Sequence, residues 1–220
     1  MNAGPSHSLA RARSSRGNTR SSTPRGAHPQ RKGLTGLLAF VLCALALGVV
    51  LSSLSHVVQQ ATLPLRDVNV IRQQAAEKHL DPALIAAVIY AETKFDPRRS
   101  PAGAEGLMQI LPSTAHFLAG MSGGVSFTTR DLATPAINVA YGSYYLRYLL
   151  DHYQGNEMQA VAAYNAGLAN VDKWIAKDHA EGQQLTIGAI PFPETRAYVQ
   201  RVLLAQRAYR SVYPRQLGLD

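Results

Sequence analysis

A single glutamate closes an otherwise apolar run. In "LIAAVIYAETKFDP", Leu84 to Pro97, Glu92 is the only carboxylate before Asp96. Asp81 can cap the N-terminus of a helix with Pro82 at its first position, and the Ala/Leu/Ile/Val run predicts a helix ending before Pro97. At 100° per residue, Ile85, Val88, Ile89 and Glu92 share one narrow stripe, so the carboxylate faces the core side. It also stands at the helix C-terminus, where the dipole disfavours negative charge. A carboxylic acid placed in this way loses solvation of its anion, which raises its pKa from ~4.3 toward ~6 and leaves it protonated often enough to act as a general acid. A surface glutamate or a buried structural ion pair would give the same local pattern.

A two-carboxylate glycosidase needs a partner for that acid. Asp96 is nearest but precedes Pro97 in "FDP" and reads as the start of a turn, while Glu105 could reach a cleft edge from the loop before Gly106. Neither is a convincing second carboxylate. Gly120 to Gly124 fits G-x-S-x-G, yet a nucleophile elbow needs a strand before it and a helix after it, and this segment reads as a loop among helices. The seven histidines are scattered without ligand spacing, so the sequence supplies no metal site.

The elements that must position Glu92 are helices. One begins at about Asp67 and runs to His79, with Val68, Ile71 and Ala75 on one face, and the Glu92 helix follows. Pro112 to Leu118 reads as a short helix and "AGMSGGVSFTTRD" as a glycine-rich loop. Thr134-Pro135 opens a long helix through Ile137, Tyr141, Tyr144 and Tyr148 that Gly155 can end; Met158 to Ala166 is closed by Gly167, and Glu194 to Tyr213 is the last. No alternating strand pattern is present, so the fold class is all-α, with one domain of about 150 residues, a usual domain size.

The formal charge of +8 on 220 residues is concentrated at one end. Residues 1–32 carry seven Lys/Arg and no acid, and the remaining 15 basic and 14 acidic residues nearly cancel. With no aromatic residue in the tail and no recognition module beside it, nucleic acid is not an expected partner. Residues 1–32 are expected to be disordered and cytoplasmic. Residues 33–55 contain no charge and are long enough to span a ~30 Å hydrocarbon layer, and the basic residues before them place the rest of the chain outside the cytoplasm. The expectation is therefore a single-pass protein anchored in the lipid bilayer at 33–55, followed by a linker at 56–65, the helical domain at 66–213 and a tail at 214–220. A cleaved signal peptide ending at Ser53-Leu54-Ser55 is the competing reading, although its N-terminal region would be long. Cys43, the only cysteine, lies inside the apolar segment, so no disulfide can form within the exported part.

Four segments appear together in order: Glu92-Thr93-Lys94-Phe95, "GLMQILPSTA" from Gly106, "AYNAG" from Ala163 and "PFPETRAYVQRV" from Pro191. In this the chain resembles the catalytic domain of the soluble lytic transglycosylases over roughly Arg66 to Tyr213. The one visible departure is Thr93, where the family usually has serine. The resemblance implies a goose-lysozyme-like fold and peptidoglycan glycan strands as partner, with no cofactor. It implies cleavage of the β-1,4 bond between N-acetylmuramic acid and N-acetylglucosamine with 1,6-anhydro ends, Glu92 serving as acid and then base. It further implies substrate-side roles for Thr93, Gly106, Met108, Gln109, Tyr164, Asn165 and Glu194. Among these, Met108 and Gln109 would line the groove, Gly106 would permit close backbone approach, Tyr164 would be the phenol that orients Glu92, and Asn165 would contact sugar. A lysozyme-type hydrolase on the same fold, or a wall-binding scaffold, are the rival expectations.

Overall fold

The computed structural model describes residues 40–50, 63–122 and 128–219. Among them the only extended pairing is an isolated bridge between Glu105 and Ile110, so the all-α expectation holds for the described residues. The chain divides after Gly48 into two units. The basic tail at 1–32 lies outside the described residues, as does most of the linker expected at 56–65. Of the expected anchor, 40–50 is described: it is helical (α1), and each of its residues is exposed. No helix among the described residues is long and apolar enough to cross a membrane.

The helices that follow are α2 (Val68–Lys78), α3 (Pro82–Thr93), α4 (Pro112–Ser122), α5 (Pro135–His152), α6 (Glu157–Ala166), α7 (Leu168–Ala180), α8 (Pro193–Val212) and the short α9 (Pro214–Leu217). Prolines stand at the starts of α3, α5 and α8, where a missing N–H costs nothing. Gly167, at φ 83°, ends α6 and opens α7 directly, a helix absent from the periodicity reading. The long helix α5 does not turn its tyrosine face inward. Ile137, Tyr141, Tyr144 and Tyr148 are only half-buried, and the core face carries Asn138, Val139, Gly142, Leu146 and Leu149.

Helix α3 lies at the centre. Ala83 through Ile89 are all buried, so the helix is covered on every side rather than along one stripe. Its largest contact is with α8, and α2 covers another side. Polar bonds hold α3 to α8 at both ends. At its start the Asp81 Oδ1 caps the Ala83 N–H at 3.0 Å, while Oδ2 accepts from Gln206 Nε2 at 2.8 Å and from the Arg210 guanidinium at 2.9 Å. At its end Tyr198 donates to Glu92 Oε1 at 2.7 Å. Asp81 pairs with residues 206–210 and Glu92 with residue 198, so the two helices run antiparallel.

The segment from Glu105 to Ile110 forms a tight loop against the end of α3. Glu105 and Ile110 exchange both backbone hydrogen bonds at 3.0 Å, and Gly106 and Gln109 adopt left-handed φ values of 75° and 49°. Asn138, fully buried on α5, holds this loop. Its Oδ1 accepts from the Met108 N–H at 2.8 Å, and its Nδ2 donates to the carbonyls of Glu105 and Leu132 at 2.8 and 3.0 Å. Gly106 is required by this arrangement, because a Cβ there would lie 2.3 Å from Asn138 Nδ2 and 2.7 Å from the Leu132 oxygen.

Replacing Asn138 with Ala would leave the Met108 N–H and the Leu132 carbonyl unpaired, each worth on the order of 1 kcal/mol or more, while the Glu105 carbonyl keeps its bond from the Ile110 N–H. Denaturant unfolding should show Asn138→Ala less stable by about 2 kcal/mol. A loss under about 0.5 kcal/mol would mean that water takes over these bonds and that the loop does not depend on this side chain.

Candidate active site

Glu92 occupies the last turn of α3, where the buried helix emerges. The helix is stopped without glycine: Lys94 and Phe95 both take left-handed φ values, 53° and 63°, and Lys94 N–H bonds back to the Tyr90 carbonyl at 3.1 Å. Such residues each store on the order of 1 kcal/mol of strain, which the buried Phe95 ring offsets by packing. The Arg98 guanidinium turns back onto the open end of the helix, donating to the carbonyl of Glu92 at 3.1 Å and to that of Thr93 at 3.5 Å. A cation at this end answers the negative pole of the dipole that made Glu92 unexpected there.

Loss of solvation raises the Glu92 carboxyl from its ordinary 4.5 to about 7. The hydrogen bond from Tyr198 and the charges of Arg201 and Arg98 act in the opposite direction and do not cancel it. Burial and the Glu92 charge push the phenols of Tyr198 and Tyr164 well up, so both remain neutral donors. The two other acids considered are placed elsewhere: Glu105 is paired with Arg99 at 3.1 Å, and Asp96 is exposed in the turn after Phe95. Among the described residues no group of three or more His, Cys, Asp or Glu side chains is placed to hold a metal ion.

The residues expected beside Glu92 divide into two sets, and several roles need correction. Thr93 is buried and its hydroxyl points to the Leu107 carbonyl at 2.8 Å, tying α3 to the loop, so its side chain cannot meet a substrate. Met108 is fully buried, with its thioether filling the space over Gly142, where a Cβ would lie 2.3 Å from the sulfur. It is core, not groove lining. The missing Cβ of Gly106 makes room for Asn138 and not for a sugar. Gln109 Nε2 is committed to the carbonyls of Arg98 and Gly106, at 2.7 and 2.8 Å, which fixes the loop. The Tyr164 hydroxyl donates to the Met108 carbonyl at 3.0 Å, and the phenol that bonds Glu92 is Tyr198 instead. Asn165 is half-buried, and its Oδ1 accepts from Thr195 at 2.7 Å, joining the end of α6 to the start of α8. Glu194 is exposed in the first turn of α8, four residues before Tyr198 and on the same helix face.

Three positions in this constellation went unread in the sequence. Tyr198 lies inside the quoted "PFPETRAYVQRV" but contacts Glu92 from 106 residues away, a distance no local pattern spans. Asn138 did leave a signal, a lone amide on the stripe Val139, Gly142, Leu146 of α5. Arg201 follows Tyr198 by three residues on the same face. Beyond Tyr164, a cavity of about 380 Å³ opens between α4 and α5, lined by Phe117, Tyr145 and Tyr148, with the Tyr145 and Tyr164 rings 5.3 Å apart.

Residues 69–187, more than half the chain, match the family model described as Transglycosylase SLT domain. The chain is 31% identical over 150 residues to the soluble lytic murein transglycosylase of Escherichia coli (strain K12), an alignment covering 67% of this chain and 23% of that protein. It resembles the lytic transglycosylase Slt of Pseudomonas aeruginosa, solved as an inactive mutant with glutamine for glutamate, at 31% identity and a TM-score of 0.62 over 68% of this chain and 24% of that one. A 70 kDa soluble lytic transglycosylase in complex with bulgecin A aligns with a TM-score of 0.64 and 30% identity over 70% of this chain and 25% of that one. The chain therefore spans about a quarter of the length of these relatives.

The raised carboxyl has a consequence for stability. Between pH 4.5 and about 7 the folded protein holds a proton that the unfolded chain has released, so stability falls as pH rises through that window and stays reduced above it. Glu92→Gln keeps an acceptor for Tyr198 and removes the titration. Thermal or urea unfolding should show the variant gaining on the wild type from pH 5 to pH 8, by at most about 3 kcal/mol. Parallel stability curves for the two proteins would mean that the carboxyl titrates normally.

Proposed function

Because the chain belongs to the Transglycosylase SLT domain family, we propose that its helical domain is a peptidoglycan lytic transglycosylase, cleaving the β-1,4 bond between N-acetylmuramic acid and N-acetylglucosamine. The observation that carries this reading is Glu92. It is a single desolvated carboxyl raised to about 7, held by one phenol and influenced only by cations, with neither Asp96 nor Glu105 beside it. A lone carboxyl of this kind suits a reaction in which one group acts twice. Protonated, it delivers its proton to the glycosidic oxygen as the bond to the anomeric carbon breaks. Ionised, it then takes the proton of the muramic 6-hydroxyl as that oxygen closes onto the same carbon, after assistance from the substrate's N-acetyl group. No water is consumed, and the product carries a 1,6-anhydro end.

The relatives named as soluble lytic transglycosylases, one of them inactive as a glutamate-to-glutamine mutant and one binding bulgecin A, support the assignment of the reaction class. The groove we propose runs past Glu92 between α8, which offers Glu194, Tyr198 and Arg201, and the α4–α5 cavity with its aromatic side chains. The loop at 105–110 forms its floor through backbone, while Met108, Thr93 and Gly106 hold that floor from beneath. We also propose that residues 33–55 anchor the chain in a membrane with the helical domain outside the cytoplasm. The uncharged run and the seven basic residues ahead of it support this, as does the helix over 40–50.

With Glu92 as acid and base, Glu92→Gln should release no fragments from purified wall, since an amide keeps the shape and cannot supply the proton. Mass analysis of the wild-type digest should find anhydro ends, lighter by one water than hydrolase products; reducing ends would assign a lysozyme-type hydrolase. For topology, a reporter active only outside the cytoplasm should work when fused after Asp220, and the protein should stay with membranes through a salt wash. A soluble mature form beginning near His56 would instead establish a cleaved signal peptide.

A further inference from the structure

The face of α8 that meets Glu92 carries one phenol and, three residues on, one cation. Arg201 is exposed and makes no side-chain hydrogen bond or ion pair among the described residues. Neighbouring arginines are committed. Arg98 covers the end of α3, Arg196 donates to the Ile190 carbonyl at 2.8 Å, and Arg210 is paired with Asp81 at 2.9 Å. Arg201 is close enough for its charge to act on both Glu92 and Tyr198. For a carboxyl that must hold a proton this neighbour is a disadvantage, because a cation favours the ionised form. An unpaired guanidinium, whose flat fork suits a carboxylate, therefore stands at a place where the chemistry alone would prefer a neutral side chain.

This inference rests on the function proposed above. The muramic sugar next to the cleaved bond carries a lactyl ether arm that ends in a carboxyl, either free or joined to a peptide with carboxylates of its own. We propose that Arg201 is a specificity-determining residue that pairs with a carboxylate borne on the lactyl arm of the sugar bound beside Glu92. Pairing would neutralise the cation when substrate arrives, so its unfavourable influence on the acid would fade at the step where the proton is needed. Glu194, one turn before Tyr198 on the same face, would give the other end of this strip the opposite charge and so favour one direction of the strand.

The test compares kcat/KM of the full-length protein on three substrates: glycan strands bearing peptide, the same strands with their carboxyls converted to neutral amides, and strands stripped of peptide so that the lactyl carboxylate is free. The wild type should prefer a carboxylate-bearing strand over the amidated one by roughly tenfold, the size of one charge-assisted hydrogen bond at a partly exposed site. That ratio should fall to within about twofold in Arg201→Gln and be partly restored in Arg201→Lys. Because each ratio is taken within one protein, a change in the fraction folded cancels. Preference for the stripped strand would identify the lactyl carboxyl as the group read, and preference for the peptide-bearing strand alone would identify a peptide carboxyl. Cleavage by the wild type that is indifferent to amidation, or a preference that survives in Arg201→Gln, would overturn the inference while leaving the reaction class intact. A wild type that cleaves none of the three would remove the proposed reaction and the inference with it.

Discussion

Helix α3 is apolar on every side and must be covered on every side. Each large residue between Leu84 and Ile89 contributes about 1.5–3 kcal/mol only if fully buried, and no single neighbouring helix can bury all of them. The packing of α8 and α2 around α3 follows from this requirement. Only the two ends of such a helix can carry charge. Asp81 at the start caps the helix and is answered by Arg210, and Glu92 at the finish stands where the cover ends. Desolvation of Glu92 is thus a by-product of burying the helix that bears it, and no separate pocket is needed to produce it.

The loop at 105–110 shows a second economy. Most of its recognisable side chains face inward: Met108 fills the space left by Gly142, Gln109 bonds the carbonyls of Gly106 and Arg98, and Gly106 yields to Asn138. The backbone takes on the external work. The Met108 carbonyl receives the Tyr164 hydroxyl, and the Leu107 carbonyl receives that of Thr93, so the loop is bonded at once to α3, α5 and α6. Residue identity in this motif is fixed by packing beneath the surface, which explains how a segment can be highly recognisable and yet offer few side chains to a ligand.

That division also governs what could be read from the sequence. Caps and breaks are local, so Asp81-Pro82, Pro135 and Gly167 announced the elements correctly, and Glu92 was conspicuous because it contradicts both burial and dipole within one turn. The partners of Glu92 are not local. Tyr198 and Tyr164 are both phenols from recognisable segments, and only the antiparallel register of α3 against α8 decides which of them reaches the carboxyl. Likewise the sequence left open which face of α5 turns inward. Small residues turned out to occupy that face, because Gly142 and Asn138 are what the loop requires of it.

The electrostatics of Glu92 is a contest with an uneven result. Burial favours the neutral acid, while Tyr198, Arg201 and Arg98 favour the anion, and the balance leaves both forms populated near neutral pH. A fully buried carboxyl without the Tyr198 hydrogen bond would keep its proton too firmly to serve later as a base, and one in water would have lost it before serving as an acid. Tyr198 has a further property that suits this balance. Its hydroxyl can donate to the Glu92 oxygen in either protonation state, and its own proton is held well beyond neutral pH by burial and by the adjacent charge. The carboxyl therefore keeps one position while its charge changes, which is the geometric condition for one group to act on two oxygens in turn.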